Sequence, residues 1–435
     1  MKKFQWLSSL LTALVVTAAA CFGAQEEEEG FVSLFNGKDL SGWVQKGGTA
    51  FYRVEDGMII GECNPECGSN SFMCTEQEFG NFIFKCEYKV DVPGNSGVQF
   101  RSHCRPEGDR SRVFGYQYEI DPSTPSSDTG RIYDEGRRGH QHGIVWLNDV
   151  DPEARAAADK SYKPGEWNSI EIQCVGPSIR TWLNGNEVTN TFDYVDMSGF
   201  FGLQIHAGKQ GKICWKNIRI KDLGTSEWKS FFVKNDNGQW EIVDAYKVVP
   251  ECWSFTEKDG REVLWGHHTH DEQRDGLIVS FHNYDNFVAR VSYMINGGNS
   301  ALYFRAEEVK TPWLLRGYQN EISGDSNEAH IWHTSGTPSD PPGRGWIAKE
   351  GEKPSSEFVE KIRNNLGWNV IATVALDDHL MTFLNGYKIV DMHDPIGEKT
   401  GKLGLQLHGS ANVDMWFYDF QVIEITPEMK ALIKR

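Results

Sequence analysis

Apolar and polar side chains alternate along most of this chain with a period of two rather than 3.6, the pattern of half-buried strands. Ser169–Val175 and Ile179–Leu183 alternate around a turn and then meet Asn184-Gly185, a strong two-residue hairpin signal. The pattern returns at Val370–Leu376, Leu380–Leu384 and Asn385-Gly386. Further strands are predicted at Phe82–Val90, Ser96–Arg101, Tyr116–Asp121, Gly199–His206 and Trp215–Lys221. Helical spacing is confined to Pro152–Ala158, Ser355–Arg363 and the tail Pro427–Lys434. Many short strands at regular spacing predict an all-β fold built from two-sheet antiparallel sandwiches.

The two similar hairpins belong to an internal duplication. Gly165-Glu166-Trp167-Asn168 returns as Leu366-Gly367-Trp368-Asn369, and Leu183-Asn184-Gly185 as Leu384-Asn385-Gly386, each at an offset of 201 residues. Gly202-Leu203-Gln204-Ile205-His206 returns as Gly404-Leu405-Gln406-Leu407-His408, and Gly115-Tyr116-Gln117 with Glu119-Ile120 as Gly317-Tyr318-Gln319 with Glu321-Ile322, both at 202. Asn95-Ser96 and Phe100-Arg101 return as Asn299-Ser300 and Phe304-Arg305 at 204. Ordered matches at a nearly constant offset define tandem copies of one domain. The expected organisation is a leader and acidic tether over 1–29, a first copy over 30–224, a linker over 225–240, a second copy over 241–426 and a tail over 427–435. Phe31–Trp43 finds no counterpart in the second copy by this comparison.

Alternation also assigns faces. Gln117, Glu119 and Asp121 share one face of their strand; Gln99 and Arg101 share one face of theirs, as do Gln204 and His206. Opposite them stand Tyr116, Tyr118, Ile120, Val98, Phe100, Leu203 and Ile205, a core-facing set. The polar row consists of short or planar hydrogen-bonding groups rather than the Lys/Glu mixture of ordinary solvent faces. Such a row suits a sugar, whose hydroxyls need paired donors and acceptors. The alternative is that half of any exposed antiparallel sheet is polar.

Charge and the N-terminus narrow the setting. The 435 residues carry 44 Lys and Arg against 61 Asp and Glu, a formal charge of −17. No basic surplus exists to displace counterions from nucleic acid or to draw the protein to anionic lipid. Lys2 and Lys3 before the apolar stretch Leu7–Ala20 read as an export signal. Cleavage after Ala20 and lipidation of Cys21 are the two ways such a signal ends. The run Glu26–Glu29 reads as a solvated tether. No apolar run approaches the ~20 residues of a membrane-spanning helix. Cys63, Cys67, Cys74, Cys86, Cys104, Cys174, Cys214 and Cys252 all precede residue 253, and an oxidising compartment favours paired or buried thiols over a zinc site at Cys63, Cys67 and Cys74.

Several motifs in order carry a family resemblance. They are Phe31-Val32-Ser33-Leu34-Phe35-Asn36-Gly37-Lys38-Asp39-Leu40-Ser41-Gly42-Trp43, Asn95-Ser96-Gly97-Val98-Gln99-Phe100-Arg101, Gly115-Tyr116-Gln117-Tyr118-Glu119-Ile120-Asp121 and Gly130-Arg131-Ile132-Tyr133-Asp134-Glu135-Gly136-Arg137-Arg138. Pro164-Gly165-Glu166-Trp167-Asn168, Trp182-Leu183-Asn184-Gly185 and Asn217-Ile218-Arg219-Ile220-Lys221 complete them. The first copy resembles the 3-keto-disaccharide hydrolase domain, which implies a concanavalin-like jelly roll. The second copy resembles it less: Ser323 replaces Asp121, and His330–Trp346 does not preserve the Ile-Tyr-Asp-Glu-Gly-Arg-Arg segment.

The resemblance implies cleavage of a glycoside already oxidised at carbon 3. The ketone acidifies the carbon-2 hydrogen, a base forms the enolate, the carbon-1 substituent leaves, and water adds to the enone. This route uses a base, an oxyanion stabiliser and an acid, rather than the carboxylate pair of oxocarbenium chemistry. Glu119 or His206 is the expected base, Arg101 the oxyanion partner and Asp121 an orienting group or acid. Arg101 paired to Glu119 as a buried ion pair is the structural alternative. Gln99, Gln117 and Gln204 are expected to bind substrate, with Tyr133 as a stacking platform and Asp134, Glu135, Arg137 and Arg138 on a loop over the site.

The chemistry requires no cofactor. His140 and His142, with His267, His268 and His270, are the short clusters from which a divalent metal site would be built, though none supplies a full ligand set. Trp146, Trp265, Trp313, Trp332 and Trp346 are either sugar platforms or core. Nucleotide, serine-hydrolase and zincin motifs are missing. The competing functional classes are a non-catalytic carbohydrate-binding protein and a surface scaffold, since jelly rolls host both.

Overall fold

The computed structural model describes residues 28–63, 67–108, 110–122, 128–147, 151–269, 273–335 and 342–434. The expected leader, Cys21, Glu26 and Glu27 of the acidic run, and His270 lie outside them. Among the described residues, no helix is long and apolar enough to cross a membrane.

Each copy is an antiparallel two-sheet sandwich. In the first copy one sheet runs Asn186–Phe192, Ser178–Leu183, Asn168–Val175, Phe82–Val92, Gly211–Asp222, Met58–Cys63, Phe51–Glu55. The facing sheet runs Trp43–Gly47, Ser71–Phe79, Gly199–Ile205, Ser96–Glu107, Arg110–Ile120, Ile132–Glu135. Phe84, Tyr88, Val98, Phe100, Tyr116, Tyr118, Phe201, Leu203 and Trp215 fill the space between. The second copy repeats both sheets strand for strand, from Tyr387–His393 to Trp253–Lys258 and from Ala245–Val248 to Ile331–Thr334, with Gly345–Trp346 added at the edge. The three helical spacings become Pro152–Ser161, Ser356–Ile362 and Pro427–Ile433, capped by Asp151, Ser355 and Thr426.

The segment expected as a linker is instead the start of the second sandwich. Lys229–Ser230 pairs with Gln421 and Val422, as Val32–Ser33 pairs with Arg219 and Ile220 in the first copy. Ser230 Oγ donates to the Phe232 carbonyl at 2.8 Å, and Ser33 Oγ to that of Phe35 at 2.6 Å. The opening motif therefore does have a counterpart, too altered in sequence for the duplication to expose it.

The alternation that placed Arg101 on the polar face fails at a bulge. The register of Ser96–Glu107 against its neighbour slips between Phe100 and His103, and Arg101 has φ 45°. Its fully buried side chain donates to the carbonyls of Gly80 and Gly176 at 2.8 Å, to that of Asp196 at 3.3 Å and to Asn81 Oδ1 at 3.3 Å. Arg305, with φ 47°, repeats the device on the carbonyls of Asp285, Asp377 and Glu398. These arginines pin loops; neither Arg101 role expected from sequence, oxyanion partner or ion pair with Glu119, fits this placement.

The copies meet where the residues after Asn186–Phe192 lie on the face of the second copy's larger sheet turned away from its core. Tyr194 packs edge-on against Phe383 at 5.3 Å, within a cluster containing Met197, Val288, Val374, Met381 and Ile423. The C-terminal helix crosses the seam: Leu432 accepts a hydrogen bond from Gln173 Nε2 at 3.0 Å, and Ile433 joins Val175, Leu376 and Ile425.

Candidate functional site

The polar row of the first copy lies on the outer face of the Trp43-to-Glu135 sheet and floors a cleft of about 650 Å³. Gln117, Glu119, Asp121, Tyr133, Glu135, Gln204 and His206 all line it, joined by Asn70, Asn95, Arg112, Asp128, His140, Val145 and Trp146. Strand pairing explains the convergence. Gln117 lies opposite Gln99 on one neighbour and Tyr133 on the other, while Gln99 is beside Gly202 on the next strand.

Glu119 is the most perturbed acid of the cleft. It is 5% exposed. Asn95 Nδ2 donates to Oε1, and Gln117 Nε2 donates to Oε2 at 2.8 Å. Burial outweighs both donors and raises its pKa from 4.5 to about 7. Behind it runs a polarised chain: Ser102 Oγ donates to Gln99 Oε1 at 2.6 Å, and Gln99 Nε2 to Gln117 Oε1 at 2.8 Å. Gly97 makes room for this chain, because a Cβ there would come within 2.5 Å of Gln117 Cγ. Gln99, fully buried beneath Gln117, orients the row and does not line the cleft where substrate contact was expected of it.

Around Glu119 the groups divide by role. Gln204 is buried at 0% exposure, and neither its Nε2 nor its Oε1 has a hydrogen-bond partner. A buried amide with both ends unpaired is costly in isolation and suits a site that a ligand completes. Glu135 accepts from Arg112 Nη2 at 3.0 Å; burial raises its pKa, opposed by Arg112 and nearby His206. His206 is exposed just beyond its strand, Nδ1 at 2.7 Å from the Ala207 carbonyl. The disulfide Cys63–Cys67 braces that segment, since Cys67 pairs with Gly208. Tyr133 meets Trp146 edge-on at 6.1 Å and His140 at 5.6 Å. Its ring lies against Gly139, where a Cβ would come within 2.3 Å of Cε2.

Asp134, Arg137 and Arg138 do not face the cleft. On a strand bearing Tyr133 and Glu135 outward, Asp134 points inward, at 0% exposure. It pairs with Arg137 at 2.8 Å and with Arg138; Arg137 also pairs with Asp196 at 2.7 Å. Arg138 is buried, holds Asp193 Oδ2 at 2.8 Å, and donates to the carbonyl of Gly386 in the second copy. The expected substrate loop is thus an ion-pair network at the seam between copies.

The histidine clusters diverge. His140 faces Tyr133, while His142 meets Tyr387 of the second copy at 5.5 Å. His267 lies against Trp265, and buried His268 against the Arg274 carbonyl. Among the described residues, no three His, Cys, Asp or Glu side chains gather as a metal site.

Sequence reasoning missed Asn70, Asn95, Arg112 and Asp128 as cleft residues. Asn95 carried a signal, its repetition as Asn299. Asn70 and Arg112 arrive from strand ends that no periodicity singles out.

The second copy keeps part of this arrangement. Asn299 donates to Glu321, whose pKa burial again raises to about 7. Its Gln406 is not free: Nε2 donates to Asp275 Oδ2 at 2.6 Å, and Oε1 accepts from Gln319 at 3.0 Å. Strand register puts Thr334 where the first copy has Glu135, and Trp332 where it has Tyr133.

Comparison with known proteins bears on the family of the chain. No curated protein matches the chain. Among solved structures, a provisionally assigned glycosyl hydrolase from Parabacteroides distasonis is 24% identical over 45% of this chain and 94% of its own, with a TM-score of 0.30. A carbohydrate-binding module of family 66 from Bacillus subtilis is 15% identical over 41% of this chain and 94% of its own, with a TM-score of 0.29. The family described as 3-keto-alpha-glucoside-1,2-lyase-like domain matches residues 30–221 and again 227–423. By that double match the chain belongs to this carbohydrate-active family, as two tandem copies of its domain.

Proposed function

We propose that the first copy cleaves glycosides carrying a ketone at carbon 3. Glu119 takes the carbon-2 proton and the electron pair moves onto the carbon-3 oxygen as an enolate. Collapse of the enolate breaks the bond from carbon 1 to the leaving oxygen, which receives a proton from Asp121. Water then adds to carbon 1 of the enone, His206 is placed to take its proton, and Glu119 returns its proton to carbon 2. The free Gln204 amide replaces Arg101 as the donor to the enolate oxygen. Tyr133 and Trp146 supply the platform for the ring. No cofactor enters this scheme.

The observation that carries the reading is Glu119, a buried carboxyl poised near 7 between two amide donors on the floor of a polar cleft. A purely sugar-binding cleft leans on amides and aromatics, whereas this one also gathers Glu119, Asp121, Glu135 and His206 around the same space. We assign the second copy no turnover of its own, because its Gln406 is already bonded and its Asp121 and Glu135 counterparts are Ser323 and Thr334. The setting we propose is outside the cytoplasm, either released after Ala20 or anchored through Cys21.

The test is incubation of the full chain with 3-keto-glucosides of several linkages, with and without added divalent metal, following release of the aglycone. Turnover that Glu119→Gln abolishes and Glu321→Gln leaves intact is the expected result. Sugar binding without turnover on any linkage refutes the enzyme in favour of a lectin-like protein.

A further inference from the structure

Next to the catalytic cleft lies a second cavity, of about 220 Å³, that only the pair of copies creates. Its walls are Ile144, Trp146 and Leu147 from the first copy's edge, Phe192, and Phe383 and Tyr387 from the second copy. Trp146 lines both spaces. The segment bearing it acts as one more strand beyond Ile132–Glu135, since Trp146 bridges to Tyr133 and Leu147 donates to the Ile132 carbonyl at 3.0 Å. A ligand whose ring sits over Glu119 and Tyr133 therefore meets this cavity as it passes Trp146.

The chemistry of the cavity differs from that of the cleft. The cleft offers Asn70, Asn95, Gln117 and Gln204 to hydroxyl groups. The polar groups on the cavity floor are already bonded: Asp193 accepts from Tyr116 and Arg138, and the Gly386 carbonyl accepts from Arg138. A second sugar there would surrender hydrogen bonds to water without replacement, whereas a flat apolar group surrenders none. A dry cavity of about 150 Å³ already accommodates benzene. Lys388 at the mouth is held by Asp391 at 2.5 Å, so no free cation calls for an acidic group.

We propose that this seam cavity is the leaving-group subsite of the cleft and takes a neutral aromatic aglycone, so that the second copy completes the substrate site. The proposal rests on the keto-glycoside reading of the cleft. In the step it serves, the bond from carbon 1 to the phenolic oxygen breaks, the pair leaves as phenoxide, and the phenol formed carries the proton from Asp121. Phenols are acidic enough, near pKa 10, to make good leaving groups.

The experiment uses the full chain with Tyr387→Ala and, should that variant fold poorly, Phe192→Ala. Calorimetric binding of phenyl and methyl glucoside is measured alongside turnover of their 3-keto derivatives. The wild type is expected to bind the phenyl glucoside at least about tenfold more tightly, and either variant to erase that preference. The variants should also lose about tenfold in kcat/KM on the phenyl substrate while the methyl substrate stays within twofold, a double difference that cancels intrinsic reactivity. Equal binding of the two glucosides, or equal losses on both substrates, overturns the subsite. Turnover of neither substrate would instead overturn the reading of the cleft, and binding would still decide the subsite.

Discussion

Replacing Glu119 by Gln should abolish turnover and at the same time change how the stability of the protein depends on pH. Burial raises the Glu119 pKa from 4.5 to about 7, so between those values the native state holds a proton that the unfolded chain releases. Its contribution to stability is therefore fullest below pH 4.5 and lost as the pH rises through 7. At about 1.4 kcal/mol per pKa unit, the shift corresponds to roughly 3 kcal/mol. The glutamine cannot ionise, so its stability relative to wild type should climb by about that amount from pH 4 to pH 8. The amide fits without a new clash if Gln117 and Gln99 flip together, because Ser102 Oγ at the end of their chain can accept as well as donate. Urea unfolding at half-unit pH intervals, followed by tryptophan fluorescence, measures the difference; assays at the same pH values should show wild-type turnover rising toward an apparent pKa near 7. Parallel stability curves for the two proteins, or turnover retained by the variant, would refute the assignment of Glu119 as the poised base.

Arg101→Met should cost about 4 kcal/mol or more, since it strands the carbonyls of Gly80, Gly176 and Asp196, yet leave KM unchanged at temperatures where the variant stays folded. Gln204→Leu should raise KM and lower kcat with little loss of thermal stability, because the amide it removes is unpaired in the free protein. Arg138→Met should destabilise the chain by about 3 kcal/mol or more by leaving Asp134 and Asp193 short of a cation, read as a lower denaturant midpoint. A stop after Thr426 should lower the melting temperature, measured by calorimetry, through exposure of Val175, Leu376 and Ile425.

Period-two alternation made both sandwiches legible, along with the cleft face bearing Gln117, Glu119, Gln204 and His206, because each of those strands keeps its register through the residues concerned. It failed at Arg101, where a bulge and a left-handed backbone turn the side chain away from the face that counting assigns. Asp134 was misplaced by reading its segment as a loop; treated as a strand, it falls opposite Tyr133 and Glu135. Arg138 finds its partner 248 residues away in a hairpin carbonyl, which carries no side-chain signature. Asn70 and Arg112 reach the cleft only through long-range strand pairing. The start of the second copy hid because Trp228-Lys229-Ser230-Phe231-Phe232 preserves the backbone role of the opening motif while keeping little of its sequence.

The docking of the C-terminal helix on the first copy sets an order of events in synthesis. Gln173 bonds to the carbonyl of Leu432, a residue 259 positions later, and Ile433 covers Val175. A chain emerging N-terminus first makes the whole first sandwich long before the residues that cover its flank exist. Until Leu432 and Ile433 have been made, the first copy waits with that flank bare. Tandem duplication has thus joined two domains of one kind through a contact that forms only after both have been synthesised.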